Sequence, residues 1–213
     1  MAANPKMPTN AAAWSTGTQQ PLEVKEAPYT RPLSNELVIK NGAVAVNPVD
    51  WIKIEMGEIM FSWIKYPFIF GYDNAGEVVE VGSSVTRFKA GDRVVGNACG
   101  MNEKTNKSSH SSFQNYTVMK EHMTSPIPAT LSFEKAAVMP LGLSTAACGM
   151  FQKDQLDLEF PTVPRSKAGN GKTLLVWGGS TSVGVNAIQV RLSIVPRIQP
   201  LEWLSPYMNE ASY

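Results

Sequence analysis

Cysteine and histidine are both scarce: the 213 residues contain two of each. Cys99 and Cys148 stand far apart, without the close spacing of a disulfide framework, and this usage fits a reducing compartment. Two cysteines and two histidines also cannot build a Cys-rich zinc knuckle of the usual kind. An excess of charge of one sign is missing too, since nineteen Lys and Arg face eighteen Asp and Glu for a net charge of +1. No basic surplus is left to neutralise a phosphate backbone, which argues against nucleic acid as a partner. No segment approaches the roughly 18 continuous apolar residues of a membrane span, and the start MAANPKMPTNAAAW has no basic region leading into an apolar stretch. A soluble, cytoplasmic protein with no membrane partner is expected. No internal repeat is visible.

What is present suits a packed core: 43% of residues are hydrophobic and 17% charged. ELVIKNGAVAV, from Glu36 to Val46, predicts a strand, or a hairpin broken near Asn41-Gly42, and Asn47-Pro48 ends it. WIKIEMGEIMFSWIKYPFIF is apolar without a clean period and reads as a partly buried, partly helical connection. Two Val-rich runs, Glu77 to Val81 and Arg93 to Val95, are separated by Gly, Ser and Gly-Asp turn signals. Short strands at this spacing indicate a small antiparallel barrel, with Phe113 to Met119 as a further strand. NEKTNKSSHSS between them reads as polar surface, which places His110 at the surface, as is also expected for His122.

Past Pro126 and Pro128 the pattern changes. Ser132 is a candidate N-cap for a helix through Ala137, and LSTAACGMF continues in helical style. DLEFPTVPRSKAGNGK, rich in Pro and Gly, predicts a loop before a strand from Thr173 to Trp177. That strand opens LVWGGSTSVG, which closes at Gly184. A dinucleotide fingerprint needs one glycine for the tight turn, one for approach of the pyrophosphate and one for helix packing. Taking Gly179 as the first position, the middle glycine is replaced by Thr181 and the last is Gly184. Hydroxyls of Ser180, Thr181 and Ser182 could donate to phosphate beside the N–H groups of a helix N-terminus. The alternative is an ordinary strand-to-helix turn. Glu202 stands near the distance of a ribose-binding acid, but Pro196 and Pro200 interrupt the strand it would need.

The order of these signals resembles the medium-chain dehydrogenase/reductase superfamily, in its zinc-independent quinone and enoyl reductase branch. It is most similar to the fungal CipB-like oxidoreductases and trans-acting enoyl reductases. The stretches PLEVKEAP, NPVDWIK, GYDNAGEVVEVGSSVTRFKAGDRVVG, AAVMPLGLSTAACGMFQKD and GKTLLVWGGSTSVGVNAIQ carry the resemblance. It implies a mixed α+β and α/β chain: a GroES-like β-barrel catalytic domain over residues 1–145, then the start of a Rossmann, doubly wound nucleotide-binding domain over 146–190.

In the zinc alcohol dehydrogenases of the superfamily the metal is held by a Cys in Cys-x-x-Asp, a His in Gly-His-Glu and a later Cys. By alignment those places hold Asn47, Tyr72 and Leu141 here. An amide, a phenol and an alkyl chain do not replace thiolate and imidazole, so no zinc is expected and zinc-type alcohol oxidation is disfavoured. The resemblance instead implies hydride transfer from NADP(H) to the activated double bond of a small enone, quinone or enoyl substrate. By position, Asn47 and Thr145 would contact the nicotinamide and its ribose. Gly178, Gly179, Ser180, Thr181, Ser182, Val183 and Gly184 would hold the pyrophosphate. Leu141, Gly142 and Thr145 would lie near the substrate. Lys53 and Tyr72 are candidate proton donors, the plainer readings being a solvated surface lysine and a barrel tyrosine. Asp50 and Asp73 read as structural acceptors for backbone N–H groups.

After about Val190 the sequence departs from the family pattern, which implies a C-terminally truncated member with a poorly ordered tail over 191–213. Such a chain would lack the strands that grip the adenosine half of a dinucleotide, and its activity would suffer. A homodimer is the assembly considered for full-length relatives. The reading from another class is a non-catalytic GroES-like binding or interaction module.

Overall fold

The structure, a computed structural model, describes residues 8–160 and 174–194. The chain divides into two compact units, Met1–Leu141 and Gly142–Tyr213.

The first unit is antiparallel throughout. One sheet has three strands in the order β2 (Glu23–Ala27), β1 (Asn10–Ser15) and β4 (Phe68–Ile69). The other has five, in the order β7 (Tyr116–Lys120), β3 (Glu36–Ala45), β5 (Asp73–Val81), β6 (Arg93–Asn97) and β8 (Thr124–Pro126). Residues Phe113–Asn115 join the two sheets. Ala13 N donates to Phe113 O and Asn115 N to Ala11 O on one side, while Asn41 N donates to Asn115 O on the other, each at 2.9 Å. The strands at Glu77–Val81 and Arg93–Val95 form as the sequence indicates, and β-branched Ile39, Val78 and Val94 pack with Leu37 and Met119 in the core.

Glu36–Ala45 is one strand rather than a hairpin. Its register with β5 slips between Asn41 and Ala43, and the slip turns Asn41 inward. There the Asn41 Nδ2 lies 2.7–3.0 Å from Ser112 O, Gln114 O and Thr117 Oγ1, while its Oδ1 accepts from Asn74 Nδ2 at 2.8 Å. A turn signal in the sequence is thus spent on satisfying buried carbonyls.

The apolar connection after Pro48 is helical at first, as α1 (Pro48–Met56), followed by a 3₁₀ turn over Gly57–Ile59. The segment read as polar surface is not all exposed. His110 is buried, and Ser111 and Ser112 are fully so, because the turn Ser108–His110 folds against the barrel. His122 is exposed as expected. Ser132 caps α2 (Phe133–Ala137), its Oγ accepting from Lys135 N at 3.4 Å.

In the second unit, α3 (Pro140–Phe151), whose first two residues end the first unit, contributes Ala146, Met150 and Phe151 to a core shared with Leu158, Leu174 and Ala187. Helix α4 covers Ser182–Ile194. The strand expected from Thr173 to Trp177 does not form over its described residues: Leu174–Val176 carry no regular structure and Trp177 begins a turn. A strand needs neighbours, and among the described residues none lies beside it, so Leu175 and Trp177 are left exposed. Residues 191–194 continue α4, while the rest of the tail read as poorly ordered, 195–213, lies outside the described residues. No helix among the described residues is long and apolar enough to cross a membrane.

Candidate functional site

Two groups of residues carry candidate chemistry, one in each unit. In the first, Asn47 stands just before α1, and its backbone N–H donates to Asp50 Oδ2 at 2.7 Å. This fixes the start of the helix and places an acidic group in its first turn, where the helix dipole favours it. The Asn47 side chain reaches across to β5, Nδ2 donating to Asp73 Oδ2 at 2.9 Å. Asp73 Oδ1 accepts from Leu141 N at 2.8 Å. Asn47, Tyr72 and Leu141, which the alignment singles out, are therefore drawn together around the buried carboxyls of Asp50 and Asp73.

Both acids act as acceptors for N–H groups, as their sequence context indicates. Burial pushes each carboxyl up to about 6, outweighing the hydrogen bonds from Asn47 and, for Asp73, from Leu141. The charge of Asp73 raises Asp50 further, and the buried Oδ1 of Asp50 has no hydrogen-bond partner. Burial, with Asp50 and Cys99 nearby, pushes the Tyr72 hydroxyl up to about 12, so the phenol keeps its proton at neutral pH.

These donors do not fit zinc. The Asn47 nitrogen is committed as a donor, the Tyr72 oxygen remains protonated, and Leu141 offers only an alkyl chain. Among the described residues no group of three His, Cys, Asp or Glu could hold a metal ion.

Lys53 is not a solvated lysine. Its side chain is fully buried, with the ammonium 3.6 Å from Glu58 Oε1 and 5.3 Å from the centroid of the Tyr66 ring. The Tyr66 hydroxyl donates to Lys53 O at 2.9 Å, closing the arrangement. Its ammonium is thus paired with Glu58 and Tyr66 but makes no hydrogen bond, and the five-residue spacing to Glu58 gave no signal of the pairing, since helix-face neighbours stand three or four residues apart.

In the second unit the turn Gly178–Gly184 leads into α4. Gly178 has φ +77°, open to glycine and strained for other residues. A Cβ on Gly184 would stand 2.2 Å from Gly178 O, so the helix closes directly onto the turn. Thr181 is the helix cap. Its Oγ1 donates to Gly178 O at 2.8 Å and accepts from Gly184 N at 3.1 Å. The residue at the middle-glycine position therefore spends its hydroxyl inside the turn. Gly142 is buried where α3 meets α4, since a Cβ there would fall 2.6 Å from Ser182 Oγ and 2.9 Å from Asn186 Nδ2. Thr145 is exposed on α3, and Val183 is exposed at the start of α4.

Residues 34–129 match the family model of the alcohol dehydrogenase GroES-like domain. The chain is 58% identical over 188 residues to a dehydrogenase of Monascus ruber, pigH, covering 88% of this chain and 51% of that one. It is 41% identical over 185 residues to the trans-enoyl reductase himH of Aspergillus japonicus, covering 86% and 52%. A solved alcohol dehydrogenase superfamily protein of Novosphingobium aromaticivorans superposes with a TM-score of 0.70 at 26% identity, over 93% of this chain and 56% of that one. The Escherichia coli quinone oxidoreductase, solved in complex with NADPH, gives a TM-score of 0.51 at 26% identity, over 70% and 41%. The chain spans about half the length of the curated relatives it matches. Family model, relatives, barrel topology and glycine turn agree: the chain belongs to the medium-chain dehydrogenase/reductase superfamily.

Proposed function

We propose that this chain serves a zinc-independent, NADP(H)-dependent oxidoreductase that reduces the activated C=C bond of a small enone, quinone or enoyl substrate. The observation that carries this reading is the glycine turn closing on α4, with Gly184 against Gly178, in a chain similar to a trans-enoyl reductase. When bound, the cofactor supplies the hydride. The N–H groups of Ser182 and Val183, which open α4, lie at a positive dipole end suited to a pyrophosphate. Asn47 would orient the nicotinamide end, with Thr145 as its second contact. Leu141 and Gly142 would border the substrate. Tyr72, protonated at neutral pH, is the candidate donor of the proton that completes reduction. The ion pair of the buried Lys53 with Glu58 makes it the weaker candidate. The proposal includes a small-molecule substrate and a cytoplasmic setting, with neither nucleic acid nor membrane as partner.

The test is titration of the purified chain with NADPH, and with NADH for comparison, by fluorescence and calorimetry. It is followed by assay against an enone, a quinone and an enoyl thioester. Saturable binding tighter for NADPH is the expected result. Absence of binding at about millimolar cofactor would remove catalysis by this chain and favour the non-catalytic binding module.

A further inference from the structure

The positions aligned with zinc ligands lack zinc donors, yet they are not left untied. Asp73 is fully buried, and its two oxygens are divided between two partners, Asn47 Nδ2 at 2.9 Å and Leu141 N at 2.8 Å. Those partners lie 26 residues before it and 68 after it in the chain. Tyr72, the third aligned position, is its neighbour in sequence. One carboxylate thus joins the three segments that a metal joins in the zinc-containing members. We propose that the Asp73 carboxylate replaces the metal as the cross-link of this site and is the positioning residue of the nicotinamide pocket, acting through Asn47 and Leu141.

The chemistry suits the task. A carboxylate has two oxygens that accept in nearly opposite directions, and hydrogen bonds to an ionised acceptor are stronger than neutral ones. Held away from water, they fix direction as well as distance. The Asn47 amide must then turn its nitrogen to Asp73, which selects one of its two flipped orientations. Leu141 is held through its backbone N–H, so this bond fixes the chain path without drawing on the side chain. The inference rests on the proposed function only in taking Asn47 as a neighbour of the nicotinamide and Leu141 as a neighbour of the substrate beside it.

The test is Asp73→Asn. An amide accepts at one end only, so either one of the two bonds is lost or the Asn47 amide must flip to accept from the new NH2 group, which its own side-chain signals would report. Hydrogen exchange at the Leu141 amide and the side-chain NH2 signals of Asn47 are followed by NMR in the full chain, and at least one is expected to change. Exchange at Leu141, where affected, quickens about tenfold while the core amides of Ile39 and Val78 hold. The NADPH Kd is expected to rise about tenfold in D73N, and by less than about twofold when D73N is added to Asn47→Ala. N47A alone, a change at a half-buried position, reads the Asn47 arm should D73N not fold.

Unchanged Leu141 and Asn47 signals in D73N would overturn the cross-link. An equal loss of NADPH affinity with and without Asn47 would overturn the positioning role, leaving a general structural one. Stoichiometric zinc in the purified protein would overturn the replacement of the metal. If the wild-type chain binds no NADPH, the proposed function fails and the positioning role with it, and the exchange data alone decide the cross-link.

Discussion

The imidazole Nε2 of His110 sits 3.0 Å from Oε1 of Glu36, a buried contact between residues 74 positions apart. Leu33 N donates to the other Glu36 oxygen at 3.0 Å, and Ser109 Oγ lies 3.0 Å from His110 Nδ1. Burial raises the Glu36 carboxyl, but His110, the Leu33 N–H and Lys107 outweigh it and hold the group below its ordinary value. The pair therefore ties the turn Ser108–His110 to the start of β3. His110→Ala is expected to cost about 2 kcal/mol, because it strands a buried acceptor. Urea unfolding followed by circular dichroism measures it. The lowered carboxyl contributes stability above pH 4.5, its ordinary value, and that contribution is lost as pH falls further. The acid limb of the wild-type stability curve should flatten in the variant.

Asp50 and Asp73 shift the other way, each from 3.8 up to about 6, with burial the main cause. A raised carboxyl binds its proton more tightly in the native state, so stability declines as pH rises from about 3.8 to about 6 and levels off above. The urea midpoint is expected to be higher near pH 5 than near pH 7, by on the order of 1 kcal/mol per carboxyl. Asp50→Asn should remove its share of that decline. A wild-type midpoint that climbs between these two pH values would contradict the assignment.

Gly184 and Gly149 make a paired prediction. A Cβ on Gly184 meets the Gly178 carbonyl at 2.2 Å, whereas one on Gly149 meets nothing within 4 Å. G184A is expected to break the turn and reduce NADPH affinity by about tenfold or more. G149A in α3 should raise stability by about 0.5 kcal/mol through chain entropy and helix propensity. Thermal melts and NADPH titration of both variants check this, and equal behaviour of the two would refute it.

Thr181 offers a subtler test. Thr181→Ala removes the cap of α4 and should cost about 1 kcal/mol, while T181S retains the hydroxyl and most of the stability. Amide exchange at Gly184, whose N–H the Thr181 hydroxyl accepts at 3.1 Å, is expected to quicken in T181A alone.

Much of the fold was legible in the sequence. Val-rich runs separated by Gly and Ser marked β5 and β6, and Ser132 marked the start of α2. The spacing of Gly178, Gly179 and Gly184 marked the turn, although Thr181 reads as a defect until its cap is seen. Other features were not legible. Lys53, whose plainer reading is a solvated lysine within an apolar connection, and His110, in a segment that reads as polar surface, are both buried. The strand at Thr173–Trp177 had the right composition but no neighbouring strand to pair with among the described residues.

By itself the sequence determined the local events: where Asn47-Pro48 ends β3 and starts α1, where Ser132 and Thr181 cap helices, and where glycine permits φ +77°. These are settled by sterics and hydrogen bonds within a few residues, so residue type and spacing suffice. Only the tertiary structure decided which oxygen of Asp73 meets Asn47 and which meets Leu141, and that Glu36 receives His110. Such pairings depend on which distant backbones the barrel brings within 3 Å or so, and burial then strengthens each contact and raises the cost of leaving any of these groups unpaired.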